Sequence, residues 1–208
     1  MYDLTTNIET EQSGLSYIAP GIHENLRLAK PDGSYPITYE KSKNGSEFIA
    51  LHFMNPDGQT LVHTEWIPVS DDAEIKKKKD ANLSKRLLHI GKKFVTVEAL
   101  KTIAKTENFE QMAKAYIAVI GDNYKNANGT AKLLRGKVIY NNKNFTTFPN
   151  YVPFLEPMSI PLEDTKLKMS PDDKIVKSKA DVIPSRPNPF TASTTVTTED
   201  TNVNNLPF

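Results

Sequence analysis

Alternating hydrophobic and polar positions predict three β-strands in the first third of the chain. Segment 21–28 places its two leucines on one face of an extended strand, with polar residues opposite. Segment 47–54 alternates in the same way, and the turn signal Asn-Pro-Asp-Gly at 55–58 is followed by a third strand at 59–68. The second and third strands are therefore predicted to form a hairpin.

The register of this hairpin follows if those four turn residues form its whole loop. The buried pairs are then Leu51 with Val62 and Ile49 with Thr64, and the outer pairs are Ala50 with His63 and Phe48 with Glu65. This register predicts that Trp66 lies in the core.

A helical insertion is predicted after the hairpin, at about 82–121, because the hydrophobic period changes there from two to about 3.6 residues. Thr96 and Asn108 are suitable N-caps, and Gly121 is a suitable end.

Strand character returns at 135–140 and at 145–154, on either side of a polar turn at 141–144. The order is three strands, helices and two strands. It predicts a mainly-β fold, a five-stranded antiparallel barrel with helices between strands three and four.

The two ends of the chain differ in composition from the middle. Residues 1–20 predict a flexible acidic arm, and 163–208 predict a disordered tail, rich in proline, serine and threonine. The barrel domain is thus expected at 21–162. The tail ends in an apolar tip, Leu206–Phe208, which indicates a docking peptide unless the tip is accidental.

Composition excludes several classes of protein. The chain has 208 residues and no cysteine, so disulfides, thiolate metal sites and thiol nucleophiles are excluded. No apolar run approaches the roughly 20 residues that cross a bilayer, and the N-terminus lacks a signal-peptide pattern. We therefore predict a cytoplasmic protein without membrane contact.

Charge is segregated along the chain, although the net charge is only +1. Residues 1–20 carry −3, residues 21–162 carry +5 and residues 163–208 carry −1. Segment 76–93 alone has eight basic residues and one acidic residue. An anionic partner is expected to bind the middle of the chain.

Aromatic and basic residues are interleaved in the predicted barrel, as a single-strand-binding surface requires for stacking on bases and pairing with phosphates. The candidate aromatic and histidine residues are Tyr35, Tyr39, Phe48, His52, Tyr140 and Phe145. The candidate cations are Arg27, Lys30, Lys41, Lys43, Arg135, Lys137 and Lys143. The alternative is that these aromatics fill the core and the lysines only solvate the surface.

A further candidate for phosphate contact is the lysine run Lys76, Lys77, Lys78 and Lys79. The alternative is that this run is only a solvated loop. The four histidines have no metal-ligand spacing, and no cofactor motif is present. One weak enzyme pattern exists, since Asp57, Glu74 and Lys76 fit the loose carboxylate and lysine pattern of metal-dependent nucleases. We predict a protein without metal, cofactor or catalytic residues.

Three segments resemble the OB-fold single-stranded-DNA-binding proteins encoded by tailed bacteriophages, some of which insert helices into the barrel. They are Gly-Ile-His-Glu-Asn at 21–25, the hairpin at 48–67, and Phe-Pro-Asn-Tyr-Val-Pro-Phe at 148–154. The resemblance covers roughly residues 20 to 160. It implies an OB-fold that coats single-stranded DNA during replication, recombination or repair in the host cytoplasm.

The tail is similar to that of bacterial single-stranded-DNA-binding proteins, which end in a flexible linker, acidic residues and Pro-Phe. The matching residues are Glu199, Asp200, Leu206, Pro207 and Phe208. The resemblance implies that the tip docks replication and recombination enzymes. Residues 201–205 are neutral where the bacterial tip is acidic. A weaker partner, or a different one, is therefore an alternative.

The sequence thus predicts a sequence-independent single-stranded-DNA-binding protein, and self-association is compatible with it. The alternatives are a structural, virion-associated interaction protein without DNA binding, and the metal nuclease.

Overall fold

Antiparallel strands form most of the regular structure in the computed structural model, which describes residues 16–103 and 106–177. The strands are β1 (Gly21–Leu28), β2 (Ile37–Lys41), β3 (Glu47–Met54), β4 (Thr60–Trp66), β5 (Leu134–Tyr140), β6 (Thr146–Thr147) and β7 (Leu155–Pro157). The helices are α1 (Ala73–Gly91), α2 (Val97–Lys101) and α3 (Phe109–Ile120), and a 3-10 turn spans Leu162–Asp164. The prediction of a mainly-β antiparallel fold is confirmed.

The sheet curls into a half-barrel because β1 pairs with two strands. Its end, Arg27 and Leu28, pairs with β3, and the rest pairs with β5. The register shifts between His23 and Leu26, where Asn25 has a φ of 57°. Such a bulge bends a strand and increases its twist, which turns β1 from one neighbour to the other.

The sheet order is β2-β3-β1-β5-β6, with β4 on β3 and β7 on β5. β2 was not predicted, although its Ile37 is buried against the core. The predicted strand at 145–154 is also wrong in extent. Only β6 lies inside that segment, since Pro149 and Pro153 have no N–H to donate to a ladder.

The β3–β4 hairpin exists, but its predicted register was wrong by one residue. Met54 pairs with Thr60, so the loop has five residues, Asn55–Gln59. The Asn55 N–H donates to the Gln59 carbonyl at 3.1 Å, which closes the loop around Gly58. A one-residue slip turns every side chain of β4 to the opposite face.

The corrected register pairs Leu51 with His63 and Ile49 with Glu65. His63 and Glu65 are consequently buried, and Trp66 lies on the outer face with 45% of its surface exposed. The expectation that Trp66 is a core residue is therefore wrong.

All three helices follow β4 and precede β5 in the chain. Thr96 and Asn108 cap α2 and α3 as the sequence indicated, accepting from the N–H groups of Ala99 and Gln111. Helix α1 begins at Ala73, nine residues before the predicted start. Its first half is polar and its first buried residue is Leu83, so the hydrophobic period does not show where it starts.

Ordered packing extends past both predicted domain boundaries. Ile18 is buried, and its N–H donates to the Thr60 carbonyl at 3.0 Å. Leu167 and Asp173 are buried after the predicted end at residue 162. Residues 1–15 of the predicted arm (1–20) and residues 178–208 of the predicted tail (163–208), with its docking residues, lie outside the described residues. Within the described residues, none of the helices has the length and apolarity needed to span a membrane.

Candidate nucleic-acid interface

A groove of about 980 Å³ lies on the outer side of β4 and is the best candidate for a binding site. One wall is β4 itself and the opposite wall is the β5–β6 hairpin. The lining residues are Tyr17, Ile18, Ala19, Val62, Thr64, Trp66, residues 140–147 and Lys177.

Trp66 forms an aromatic platform together with Phe48, its partner across the hairpin. The two ring centroids are 4.4 Å apart and the rings are inclined by 34°. The indole Nε1 donates to Thr64 Oγ1 at 3.0 Å, which fixes the ring orientation. A π-face held in place and open to solvent is what stacking on a base requires.

The β5–β6 turn presents a second exposed ring, since Phe145 is 66% exposed. Asn141 organises this turn, because its Oδ1 accepts from the N–H groups of Lys143 and Phe145 at 2.9 and 3.0 Å. The predicted polar turn at 141–144 is confirmed. It brings the candidate residues Lys143 and Phe145 to the groove that Trp66 also lines.

Tyr140 and Lys177 also line the groove. The Tyr140 N–H donates to the Lys174 carbonyl at 2.7 Å, which attaches the segment after the 3-10 turn to β5. The Lys177 ammonium then lies 5.8 Å from the Tyr140 ring centroid, a cation–π contact. The groove thus combines aromatic rings with two lysines, Lys143 and Lys177.

A polar network beneath the groove holds β4 in place. Glu65 accepts three charge-assisted hydrogen bonds from Arg86 of α1, the shortest at 2.7 Å, and a ring nitrogen of His63 lies 3.0 Å from the same carboxylate. The other His63 nitrogen is 3.0 Å from Thr147 Oγ1 of β6. Burial opposes the charge of Glu65, but His63 and Arg86 hold its pKa below the ordinary value.

Two candidates, His52 and Lys30, lie farther along the outer face. Partial burial, and then the charge of Lys30, lower the pKa of His52, so it is a neutral ring at pH 7. Lys43 is exposed in the turn between β2 and β3. These residues flank the platform without lining the groove.

Three other candidates face the helices instead of the groove. The Tyr35 hydroxyl donates to the Gly121 carbonyl at 2.8 Å, and burial raises its pKa to about 12. The Tyr39 hydroxyl donates to Glu47, whose carboxylate also pairs with Lys41 at 3.0 Å. These side chains join β2 and β3 and approach α3, so we do not include them in the interface.

Arg135 and Lys137 are buried in ion pairs, with 4% and 3% of their side chains exposed. Arg135 pairs with Glu156 at 2.6 Å, and Lys137 pairs with Asp173 at 3.0 Å. Neither cation can reach a phosphate without breaking a buried pair, which is strongly unfavourable. Their predicted role in binding DNA is corrected to a structural one.

The lysine run lies on a helix, not in the solvated loop considered above. Lys76, Lys77, Lys78 and Lys79 occupy the exposed first half of α1. Lys76 pairs with Asp80 at 2.8 Å, and Lys79 donates to the Val69 carbonyl at 2.9 Å. They form a basic surface apart from the groove lining.

No contact joins Asp57 to Glu74 or Lys76, the three residues of the nuclease pattern, among the contacts of the described residues. Asp57 hydrogen bonds with Asn55 in the hairpin loop, whereas Glu74 and Lys76 are in the first turn of α1. Among the described residues, no three acidic or histidine side chains are grouped so that they could hold a metal ion.

Residues that the sequence analysis missed are Trp66, Tyr17 and Lys177. If the hairpin loop is given five residues instead of four, the sequence predicts that Trp66 lies on the outer face of the sheet. Lys177 was assigned to a linker, since nothing local signals its attachment to β5.

No protein-family model matches the chain, and comparison with curated proteins gives no significant match.

Proposed function

We propose that the protein binds single-stranded DNA without sequence preference, through the groove between β4 and the β5–β6 hairpin. The observation that carries this proposal is the Phe48–Trp66 platform, whose exposed indole lines the same groove as Phe145 and two lysines. Stacking on aromatic rings contributes about 1–3 kcal/mol per base and accepts any base.

The strand topology supports an OB-fold barrel as the scaffold. β1 is shared between β3 and β5, β3 pairs with β4, the helices follow β4, and β6 returns towards β4 at Thr147. Strands β1, β3, β4, β5 and β6 then correspond to the five OB strands, and β2 is an addition. OB-folds bind oligonucleotides on the face of their second and third strands, which are β3 and β4 here.

Lys143 and Lys177 supply the phosphate contacts in this proposal. Each phosphate contact with a single strand changes the slope of log K against log salt by about −0.7, so two contacts predict about −1.4. If the groove instead docks a protein segment, its affinity is not expected to follow this salt slope.

Fluorescence anisotropy with labelled oligo-dT at two salt concentrations tests the proposal. We expect salt-weakened binding that Phe145→Ala reduces by at least fivefold. Leu162→Ala is the matched control, because Leu162 is 65% exposed and does not line the groove. Absence of binding at low salt would refute the proposal and favour the virion-associated interaction protein.

The resemblance described above extends the proposal to a role in bacteriophage replication or recombination, with partner enzymes recruited through Leu206–Phe208. Removing those three residues should abolish capture of such enzymes from a host extract while leaving oligo-dT affinity intact. A loss of DNA affinity instead would place the tip in the DNA-binding surface.

A further inference from the structure

A second cavity, of about 510 Å³, is lined by three basic residues and by no acidic residue within the described part of the chain. The basic residues are Arg27, Lys93 and Lys132, and Asn126 and Thr130 add polar groups. The Thr130 hydroxyl donates to Asn128, whereas the Asn126 amide uses one of its two N–H groups on Thr130 Oγ1 and has the other for a phosphate oxygen beside the cations.

The charges of this cavity are poorly compensated. The Arg27 guanidinium donates to Met54 Sδ at 3.4 Å, and a thioether is a weak acceptor. Lys132 donates to the Phe94 carbonyl at 3.1 Å, a neutral acceptor. Among the described residues, none of the three basic side chains of the cavity forms a salt bridge.

Lys93 is a partly desolvated cation. Burial lowers the pKa of its ammonium, and the neighbouring charge of Lys92 lowers it further, while Glu156 opposes the shift only in part. A desolvated cation of this kind is stabilised when an anion enters the cavity.

One lining residue of the cavity, Arg27, contacts Met54 on the face of β3 that carries Phe48. Arg27 pairs with Met54 at the end of β3, and Phe48 lies near the start of that strand. Six residue steps separate Phe48 from Met54, or about 20 Å. At roughly 3.4 Å per stacked nucleotide, this span corresponds to about six nucleotides.

We propose that this cavity binds a backbone phosphate of the same single strand that stacks in the groove, so that long strands contact both places. The inference rests on the proposed function and adds a second contact that only long strands reach.

The test compares oligo-dT of about 4 and about 16 nucleotides, the range of sites seen for single OB-folds. The variant is Arg27→Gln with Lys132→Gln. The matched control is Lys101→Gln with Lys166→Gln, which removes the same charge from exposed positions outside both cavities. For the long strand we expect the magnitude of the salt slope of the variant to fall by about 0.7, the loss of one phosphate contact, with no change for the short strand.

The swap Arg27→Lys with Lys132→Arg should restore the slope for the long strand, which separates lost charge from misfolding. Equal slopes for the variant and the control at both lengths would overturn the inference while leaving the proposed function standing. If the wild-type chain binds neither strand, both proposals fail.

Discussion

Replacing Trp66 with alanine tests the corrected register and the stacking platform together. Trp66 is 45% exposed, so about half of its ring surface of ~150 Å² is buried. The substitution removes this buried apolar surface, which lowers the free energy of unfolding by about 2 kcal/mol. A tryptophan in the core would cost about 3–5 kcal/mol. Urea denaturation measures the difference, and Ile22→Ala is the control, since Ile22 is a strand residue with 39% exposure outside the groove.

The same substitution should weaken binding of oligo-dT. Loss of one stacked base removes about 1–3 kcal/mol, which corresponds to roughly a 5- to 150-fold loss of affinity. Since Trp66 is the sole tryptophan, anisotropy of a labelled strand is the suitable assay. Unchanged affinity in a folded Trp66→Ala protein would refute the role of the platform.

Three further predictions concern the rest of the molecule. Burial lowers the pKa of His89 to about 4, so the unfolded chain binds more protons between about pH 4 and 6.5, and unfolding free energy should fall by up to about 2 kcal/mol as pH decreases through that window. His89→Gln should reduce this dependence in urea titrations, and an unchanged pH profile would contradict the assignment. Gly136→Ala places a Cβ 2.6 Å from Leu26 Cδ1 and 3.0 Å from Leu155 Cδ2, so it should cost about 1–3 kcal/mol, and an unchanged melting temperature would be inconsistent with that packing. Reversing the charges of Lys77 and Lys78 should weaken binding of all DNA sequences equally and only at low salt; a sequence-dependent loss would indicate direct contact with bases.

The sequence predicted features that depend on local periodicity and turn chemistry. The alternation in β3 and the turn at 141–144 were found because each is encoded within a few neighbouring residues. The start of α1 was missed because capping by Asp72 precedes a polar stretch that carries no hydrophobic period.

Features that depend on distant partners were not predictable. Arg135 and Lys137 looked like surface cations, but their partners, Glu156 and Asp173, are 21 and 36 residues away. The position of Trp66 depended on one loop residue, Gln59, whose side chain accepts from Asn55 Nδ2 at 2.8 Å. Gln59 lies outside the four-residue turn signal at 55–58.

The fluorescence of Trp66 during titration with oligo-dT tests the central claim most directly, because this sole tryptophan lies in the groove. We predict that its emission changes in proportion to bound DNA and saturates at the same concentration as the anisotropy of the labelled strand. Binding without any change in Trp66 emission would place the DNA elsewhere, with the lysines of α1 as the next candidates, and would contradict the account.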